Sequence, residues 1–474
     1  MKAATPLPSH APGGRPIPFR TQGPLSLASL LAPLNSTMIA VALPAVRSEF
    51  HVGVGALTWL VSSYLIAVAV SQPLGGRLGD AIGHLRVVMI GLVALVVFSL
   101  AAALAWNFYA LVVFRALQGI GAAFILPNAS AFLRKQVSPH QLGTALGANG
   151  AAVSAGAAFG PVVGGLLLTA GDWRWLFFAN IPVSAAALWF ILRVQADTGL
   201  GRKALVIDVP SLLAIAGVFS GLSLLGTAAR LHSPLLVTAG GALVPLSLAG
   251  LVARYRMRGT AIVDLRLFTR RNYVAAAAGV SLANLVMYST LVAMPVYLAD
   301  VRNVSDAAVA FLLFVMSIAM VGVAPMAGGF SDRAGNRPLL VAGAIVLLVS
   351  SVTFALILHE PPLVVLVAPL LLVGLALGIS GAAQQSAALQ AWPPSMAGSA
   401  AGTFSMMRYV GSITGTAIIA AILGAHPDES AFRLLFVVLV LFAGANLVAA
   451  LSITRARPAV LATVLTSQPV PSEP

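Results

Sequence analysis

GRLGDAIGHLR at residues 76–86 and GGFSDRAGNRP at residues 328–338 are two copies of one pattern. Gly76, Asp80 and Gly83 return 252 positions later as Gly328, Asp332 and Gly335, and each copy lies between two long apolar segments. A second set keeps almost the same distance. Gly143, Gly147, Gly156 and Gly160 return 255 positions later as Gly398, Gly402, Gly411 and Gly415, so two whole blocks correspond rather than one loop. Duplicated membrane halves are the architecture of secondary transporters, where a site near midplane is reached from alternate sides as one half moves against the other.

Hydrophobic residues are 59% of the 474 and charged residues 8%, against roughly 25% charged in a soluble domain. A helix crosses the hydrocarbon with about 20 apolar residues. Runs of that kind begin near residues 24, 56, 85, 108, 143, 175, 209, 235, 273, 307, 338, 362, 398 and 430, which predicts an all-α polytopic membrane protein with fourteen transmembrane helices. With the N-terminus inside, 20 of the 27 Lys and Arg fall on the cytoplasmic side and 5 on the outer side, which fixes both termini in the cytoplasm because basic loops are retained there. The net charge of +14 lies on membrane-adjacent loops such as 254–259 and 265–271. That placement suits topology and the headgroups of the lipid bilayer and argues against a nucleic-acid partner.

The absence of cysteine excludes disulfides and thiolate metal sites. No metal or cofactor is expected. No phosphate-binding Walker pattern and no set of nucleophile, base and acid at membrane depth is present, so the chain is not read as an enzyme. Residues 1–22 and 455–474 read as cytoplasmic tails, the first of them disordered.

Within the first repeat a very short loop needs glycine to turn, and Asp80 beside Arg77 and Arg86 offers a charge pair that breaks when the halves rock. The plain alternative is a structural turn held inside by its arginines. Arg115 lies within an apolar span, where a guanidinium costs several kcal/mol by the lower estimates. Helical spacing puts Arg115, Gln118, Gly119 and Ala122 on one face; Arg408, Gly411, Ser412 and Gly415 form a comparable strip. Each arginine either faces a central cavity, snorkels to an interface or braces its neighbours. Gly156, Gly160 and Gly164 make overlapping GxxxG patterns for close helix contact, with Pro161 removing one backbone bond beside them. Trp173 and Trp175 in WRW read as an interfacial belt with a fixed turn.

In six blocks (76–86, 115–123, 160–165, 173–182, 263–273 and 397–415) the chain resembles the major facilitator superfamily, and within it the fourteen-span drug:proton antiporters of the multidrug efflux type. The resemblance implies two six-helix bundles, residues 23–195 and 273–454, with a linker and two inserted helices over 196–272. It implies gating at Gly76, Asp80, Gly83 and Arg86 and at Gly329, Asp332, Arg333, Gly335 and Arg337. It assigns an antiporter-type helix motif to Gly156, Gly160, Pro161, Gly164 and Gly165, and proton coupling to Arg115. The first loop departs from the family at Ala81, His84 and Leu85, where basic residues are usual, which predicts a weaker latch than the second loop with Arg333 and Arg337.

The thirteen acidic residues all fall at span ends, loops or tails. Where the family carries an aspartate in the first span, this chain reads LNSTMIAVALP with Asn35. Asn35 does not titrate, which sets proton coupling in question although the resemblance makes protons the expected partner ion. Asn35, Arg115, Gln118 and Arg408 are the candidate substrate or coupling residues. A cavity with two arginines and no counter-acid favours hydrophobic neutral or anionic small molecules over lipophilic cations; Thr37, Gln72, Asn284, Tyr288 and Ser405 are further lining candidates. The expected role is multidrug or natural-product efflux by a monomer in a bacterial inner membrane. An uncoupled facilitator or anion exchanger, and a non-transporting membrane sensor or scaffold, are the alternatives.

Overall fold

The computed structural model describes residues 19–52, 54–138, 141–193, 208–231, 233–258, 263–302, 304, 306–357, 362–423 and 429–454. The tail residues 1–18 and 455–474 and the whole of the 196–207 linker lie outside the described residues. The chain forms α1 (Phe19–Phe50), α2 (Val54–Ile82), α3 (His84–Ala103), α4 (Phe108–Ala123), α5 (Ile125–Gln136), α6 (Leu142–Ala170), α7 (Trp175–Phe178) and α8 (Asn180–Leu192). It continues as α9 (Val209–Leu231), α10 (Pro234–Arg258), α11 (Arg271–Val296), α12 (Asp306–Ala334), α13 (Asn336–Ile357), α14 (Leu363–Gln390), α15 (Ala397–Leu423) and α16 (Glu429–Leu451).

No strand occurs among the described residues. Hydrocarbon offers the backbone no hydrogen-bond partner, so a helix that closes its own bonds is the economical way across. Among the described residues 12 helices are long and apolar enough to cross a membrane, with α4 and α5 acting as one and α7 and α8 as another. The expected runs in α1 and α9 fall outside that set, and the apolar stretch of α9 is the shorter Val209–Leu225. α1 begins at Phe19, inside the expected tail, because Gln22 Nε2 donates to the Ala145 carbonyl oxygen of α6 at 2.8 Å and ties down the first turn.

The repeated Gly83 and Gly335 each make the whole connection between two antiparallel helices. Their φ angles are 100° and 82°, and nothing crowds either Cα. Conformation rather than space therefore demands glycine, since a side chain disfavours this left-handed region. We call the end of the molecule that carries these two turns the basic end.

Helices α1 to α8 pack among themselves, and α11 to α16 do the same. The two sets meet along α2 against α15 and along α6 against α12. α9 lies over the α2–α15 seam, with Ile215 and Phe219 buried against Ala69, Met406 and Ile413, while α10 packs on α9 and is otherwise largely exposed.

The apolar core shows how the sets are joined. At the basic end one cluster runs through both, from Leu85, Leu133 and Leu146 to Leu340, Leu389 and Phe404. Toward the opposite end the core divides. Met38, Val46, Leu60 and Trp173 form one cluster within the first set, and Met294, Tyr297, Leu366 and Phe432 form a separate one within the second.

Candidate functional site

Backbone contact closes the basic end. A Cβ added to Gly398 would strike the Gly76 carbonyl oxygen, and one on Gly402 would strike that of Gln72. On the other seam a Cβ on Gly143 would meet the Gly328 carbonyl oxygen and one on Gly147 that of Ala324. The repeated glycine blocks thus divide their labour. Gly143, Gly147, Gly398 and Gly402 join the two sets, whereas Gly156 and Gly160 seat α6 on α1, and Gly411 and Gly415 seat α15 on α11.

Close approach brings each repeated aspartate to the first turn of a helix in the other set. Asp80 accepts from the backbone N–H of Gly398 (3.0 Å) and Ser399 (2.8 Å) and from the Ser399 hydroxyl (2.9 Å). Asp332 accepts from the N–H of Gly143 (2.7 Å) and Thr144 (2.7 Å) and from the Thr144 hydroxyl (2.5 Å). The free N–H groups and positive end of a helix suit a carboxylate. This replaces the expected charge pairs: among the described residues neither Asp80 with Arg77 or Arg86, nor Asp332 with Arg333 or Arg337, forms an ion pair. Asp80 has His84 Nε2 at 3.6 Å instead, and His84 Nδ1 meets Asn128 Oδ1 at 2.9 Å. Gln385 Nε2 donates to Ser130 Oγ (2.9 Å) across the same interface, between residues separated by the 255 positions that relate the repeats.

Above this closure Arg115 lies fully enclosed in the first set of helices. Its Nη1 donates to Asn35 Oδ1 (3.2 Å) and Gln118 Oε1 (2.7 Å), Gln118 Nε2 donates to Ser99 Oγ (2.6 Å), and Asn180 Nδ2 donates to Asn35 Oδ1 (3.3 Å). The guanidinium stands 4.4 Å from the Tyr64 ring centroid and 5.8 Å from that of Phe177. Its Nε and Nη2 have no hydrogen-bond partner. Of the three placements open to Arg115, these rings and amides show the one in which it sits among its neighbouring helices and is covered.

Arg408 differs. It is half-buried, with its nearest ring Phe404 at 5.9 Å, and it makes no side-chain hydrogen bond or ion pair among the described residues. Tyr288 and Asn284 on α11 and Tyr409 on α15 are half-buried as well.

Of the other expected residues, Thr37 donates to the Pro33 carbonyl oxygen (3.0 Å) and packs at Gly160, which is helix packing. Gln72 and Ser405 are buried, each with an unpaired side-chain oxygen. α6 runs unbroken through residue 161; the Pro161 side chain lies outside the described residues, and Gly165 faces open space. Trp173 is no belt residue: it is buried and donates from Nε1 to Glu49 Oε2 (2.6 Å), beside the Arg174–Glu49 ion pair at 2.6 Å, while Trp175 is exposed.

The sequence model of the Major Facilitator Superfamily matches residues 25–416. The chain belongs to the major facilitator superfamily. Among superfamily relatives it is 31% identical over 414 residues to the MFS-type transporter YvkA of Bacillus subtilis, covering 87% of this chain and 92% of that protein. It is 28% identical to the tetracenomycin C resistance and export protein of Streptomyces glaucescens, over 89% and 79% of the two chains. The human organic anion transporter MFSD10 (TETRAN) superposes with a TM-score of 0.63 over 90% of this chain and 100% of that one; at 18% identity it speaks to the superfamily fold alone.

Sequence reading missed Tyr64, Asn180, Ser99 and the helix starts that receive Asp80 and Asp332. The repeated Gly-Ser/Thr steps Gly143–Thr144 and Gly398–Ser399 are the signal that marks those starts.

Proposed function

We propose that this superfamily transporter is an alternating-access exporter of hydrophobic small molecules. In this reading the basic end faces the cytoplasm of a bacterial cell and the chain lies in its cytoplasmic membrane. Counting α1 and α9 gives fourteen spans, with α9 and α10 inserted between two six-helix bundles. The observation that carries the reading is the divided core, joined into one cluster at the basic end and split into two at the other. A transporter closed toward the cytoplasm and parted toward the outside has this distribution, and opening the basic end requires both aspartate clamps to let go. The printed function of the Streptomyces glaucescens relative, resistance and export, points the same way.

No acidic residue among the described ones sits at mid-helix within a span, and Asn35 occupies the place beside Arg115 where a carboxylate would titrate. This favours a second reading for the driving force, an uncoupled or exchange mechanism. One experiment separates them. Purified protein in liposomes is given a panel of hydrophobic compounds with and without an imposed pH gradient. Export with little response to the gradient supports exchange or facilitation, a steep response supports proton antiport, and no movement of any compound refutes the exporter reading.

A further inference from the structure

The buried imidazole of His84 stands one proton short of the clamp beside it. Asn128 Nδ2 donates to two carbonyl oxygens, those of Gly75 (2.9 Å) and Phe124 (2.8 Å), which turns Asn128 Oδ1 toward His84 as an acceptor. His84 Nδ1, 2.9 Å from that oxygen, is therefore the N–H of the ring. In the neutral ring Nε2 is then a bare acceptor. It is buried without a hydrogen-bond partner and stands 3.6 Å from Asp80 Oδ1, a second acceptor. Asp80 Oδ1 meanwhile accepts from the Gly398 N–H of α15 at 3.0 Å. Gly79 leaves room for this arrangement, since a Cβ there would strike both Asn128 Oδ1 and His84 Nδ1. The second clamp has no such group: 252 positions after His84 stands Asn336, whose Oδ1 accepts from Ser331 Oγ at 2.6 Å.

We propose that His84 Nε2 is a proton-binding site that loosens the Asp80 clamp when it fills. The proposal rests on the reading that the basic end opens by release of the clamps, and it gives one of them a chemical trigger. A proton taken from water onto Nε2 leaves the bond from Nδ1 to Asn128 in place and makes an imidazolium with a second N–H beside Asp80. At 3.6 Å that N–H is too far for a good hydrogen bond while the carboxylate remains on α15. Once Asp80 lets go of Gly398 and Ser399 it can close on Nε2, which replaces the lost donors with a charged one from its own set. The proton thus gains more in the open form than in the closed form, and by linkage acid drives the basic end toward open. Of the charged groups on the helices packed against α3, Asp80 of α2 and Lys135 of α5 are the two that face His84. α7 and α8 carry none, and Arg115 of α4 is taken up by Asn35 and Gln118. Lys135 belongs to the same set as His84, so its repulsion acts alike in both forms and sets no preference between them.

The test reads the proton and its effect separately, on the purified full-length protein. In NMR spectra with isotopically labelled histidine, the His84 ring is assigned by its loss in His84→Asn. It should show the Nδ1–H tautomer at about pH 8.5 and take up a proton before about pH 5.5, a window that leaves ordinary carboxylates ionised. Spin labels at Gln136→Cys and Ala334→Cys, both exposed at the basic end, read the separation of the sets over the same window and leave Lys135 in place. Acidification in detergent, where no gradient exists, should raise the open-to-closed ratio at least about tenfold, the equivalent of one charge-assisted hydrogen bond made only in the open form. His84→Asn, which copies the residue at the matching place in the second repeat, should abolish this response. Asp80→Asn should abolish it as well, from a starting point already shifted toward open. An Nε2–H tautomer, no protonation within the window, a response that survives either substitution, or a shift toward closed in acid would each overturn the proposal. If the labels respond through His84 while no compound moves in liposomes, the proton site stands and the exporter reading fails. If compounds are exported and the labels ignore pH, the exporter reading stands and the proton site fails.

Discussion

Replacing Asp80 or Asp332 by asparagine should shift the basic end from closed toward open, and the size of the shift follows from the clamp geometry. Each carboxylate takes two peptide N–H groups and one hydroxyl from the first turn of a helix in the other set. A charge at a partly buried helix N-terminus contributes up to about 2 kcal/mol. An amide also turns a donor toward one of those N–H groups, which adds roughly 1 kcal/mol. Discounting for solvent access leaves about 2 kcal/mol per clamp, or roughly a 30-fold change in the closed-to-open ratio. Asp80 makes its three bonds in partly buried surroundings, whereas two of the three at Asp332 are exposed. Asp80→Asn should therefore shift the equilibrium at least as far as Asp332→Asn, the reverse of the order expected from the arginines of the second loop. The chain has no cysteine, so spin labels at Lys135→Cys and Ala334→Cys report the distance between the sets directly, both sites being exposed at the basic end. A longer-distance population should grow in both variants. No change in either, or a clearly larger change for Asp332→Asn, would refute the reasoning and restore the basic side chains as the working partners.

Gly398→Ala should impair turnover strongly, because its Cβ would meet the Gly76 carbonyl oxygen, whereas Gly381→Ala, with nothing nearby, should be silent in the same transport assay. Asn35→Asp places a carboxylate where Arg115 Nη1 now donates at 3.2 Å and should add a response to a pH gradient; unchanged gradient dependence in a well-folded variant would count against Asn35 as the lost proton site. Asp208 bonds to Ser211 Oγ and Arg254 Nε; burial opposes its charge, but these two partners hold its carboxyl below the ordinary range. Its contribution to stability should be present above the ordinary carboxylate range and vanish as pH falls through the lowered value, so Asp208→Asn should flatten the acid limb of thermal unfolding against pH.

The helices were legible because apolar length is written directly in the chain, and all fourteen expected starts lie within five residues of a helix start. The turns at Gly83 and Gly335 were legible for a local reason as well, since only their own φ matters. The partners of Asp80 and Asp332 were not legible. They are peptide N–H groups from helices 318 and 189 residues away, and a backbone donor leaves no mark on side-chain pattern. The two arginines within apolar spans, Arg115 and Arg408, looked alike in sequence. What separates them is the Tyr64 ring 4.4 Å from Arg115 and the amides that accept from it, whereas among the described residues Arg408 has only the Phe404 ring at 5.9 Å and no side-chain hydrogen bond, a difference of tertiary packing.

A clamp that grips main chain has an unusual mutational profile. On the acidic side one base change abolishes it, but on the receiving side nearly every residue type still presents an N–H, so drift there is tolerated so long as the close glycines stay. Proline is the exception. Thr144 and Ser399 are the third residues of α6 and α15, in the opening turn where proline is ordinarily harmless to a helix. At these two positions proline would remove two of the three bonds to the carboxylate, the N–H and the hydroxyl, with helix content intact, so the contact between the sets can be weakened by a change that a stability screen would pass.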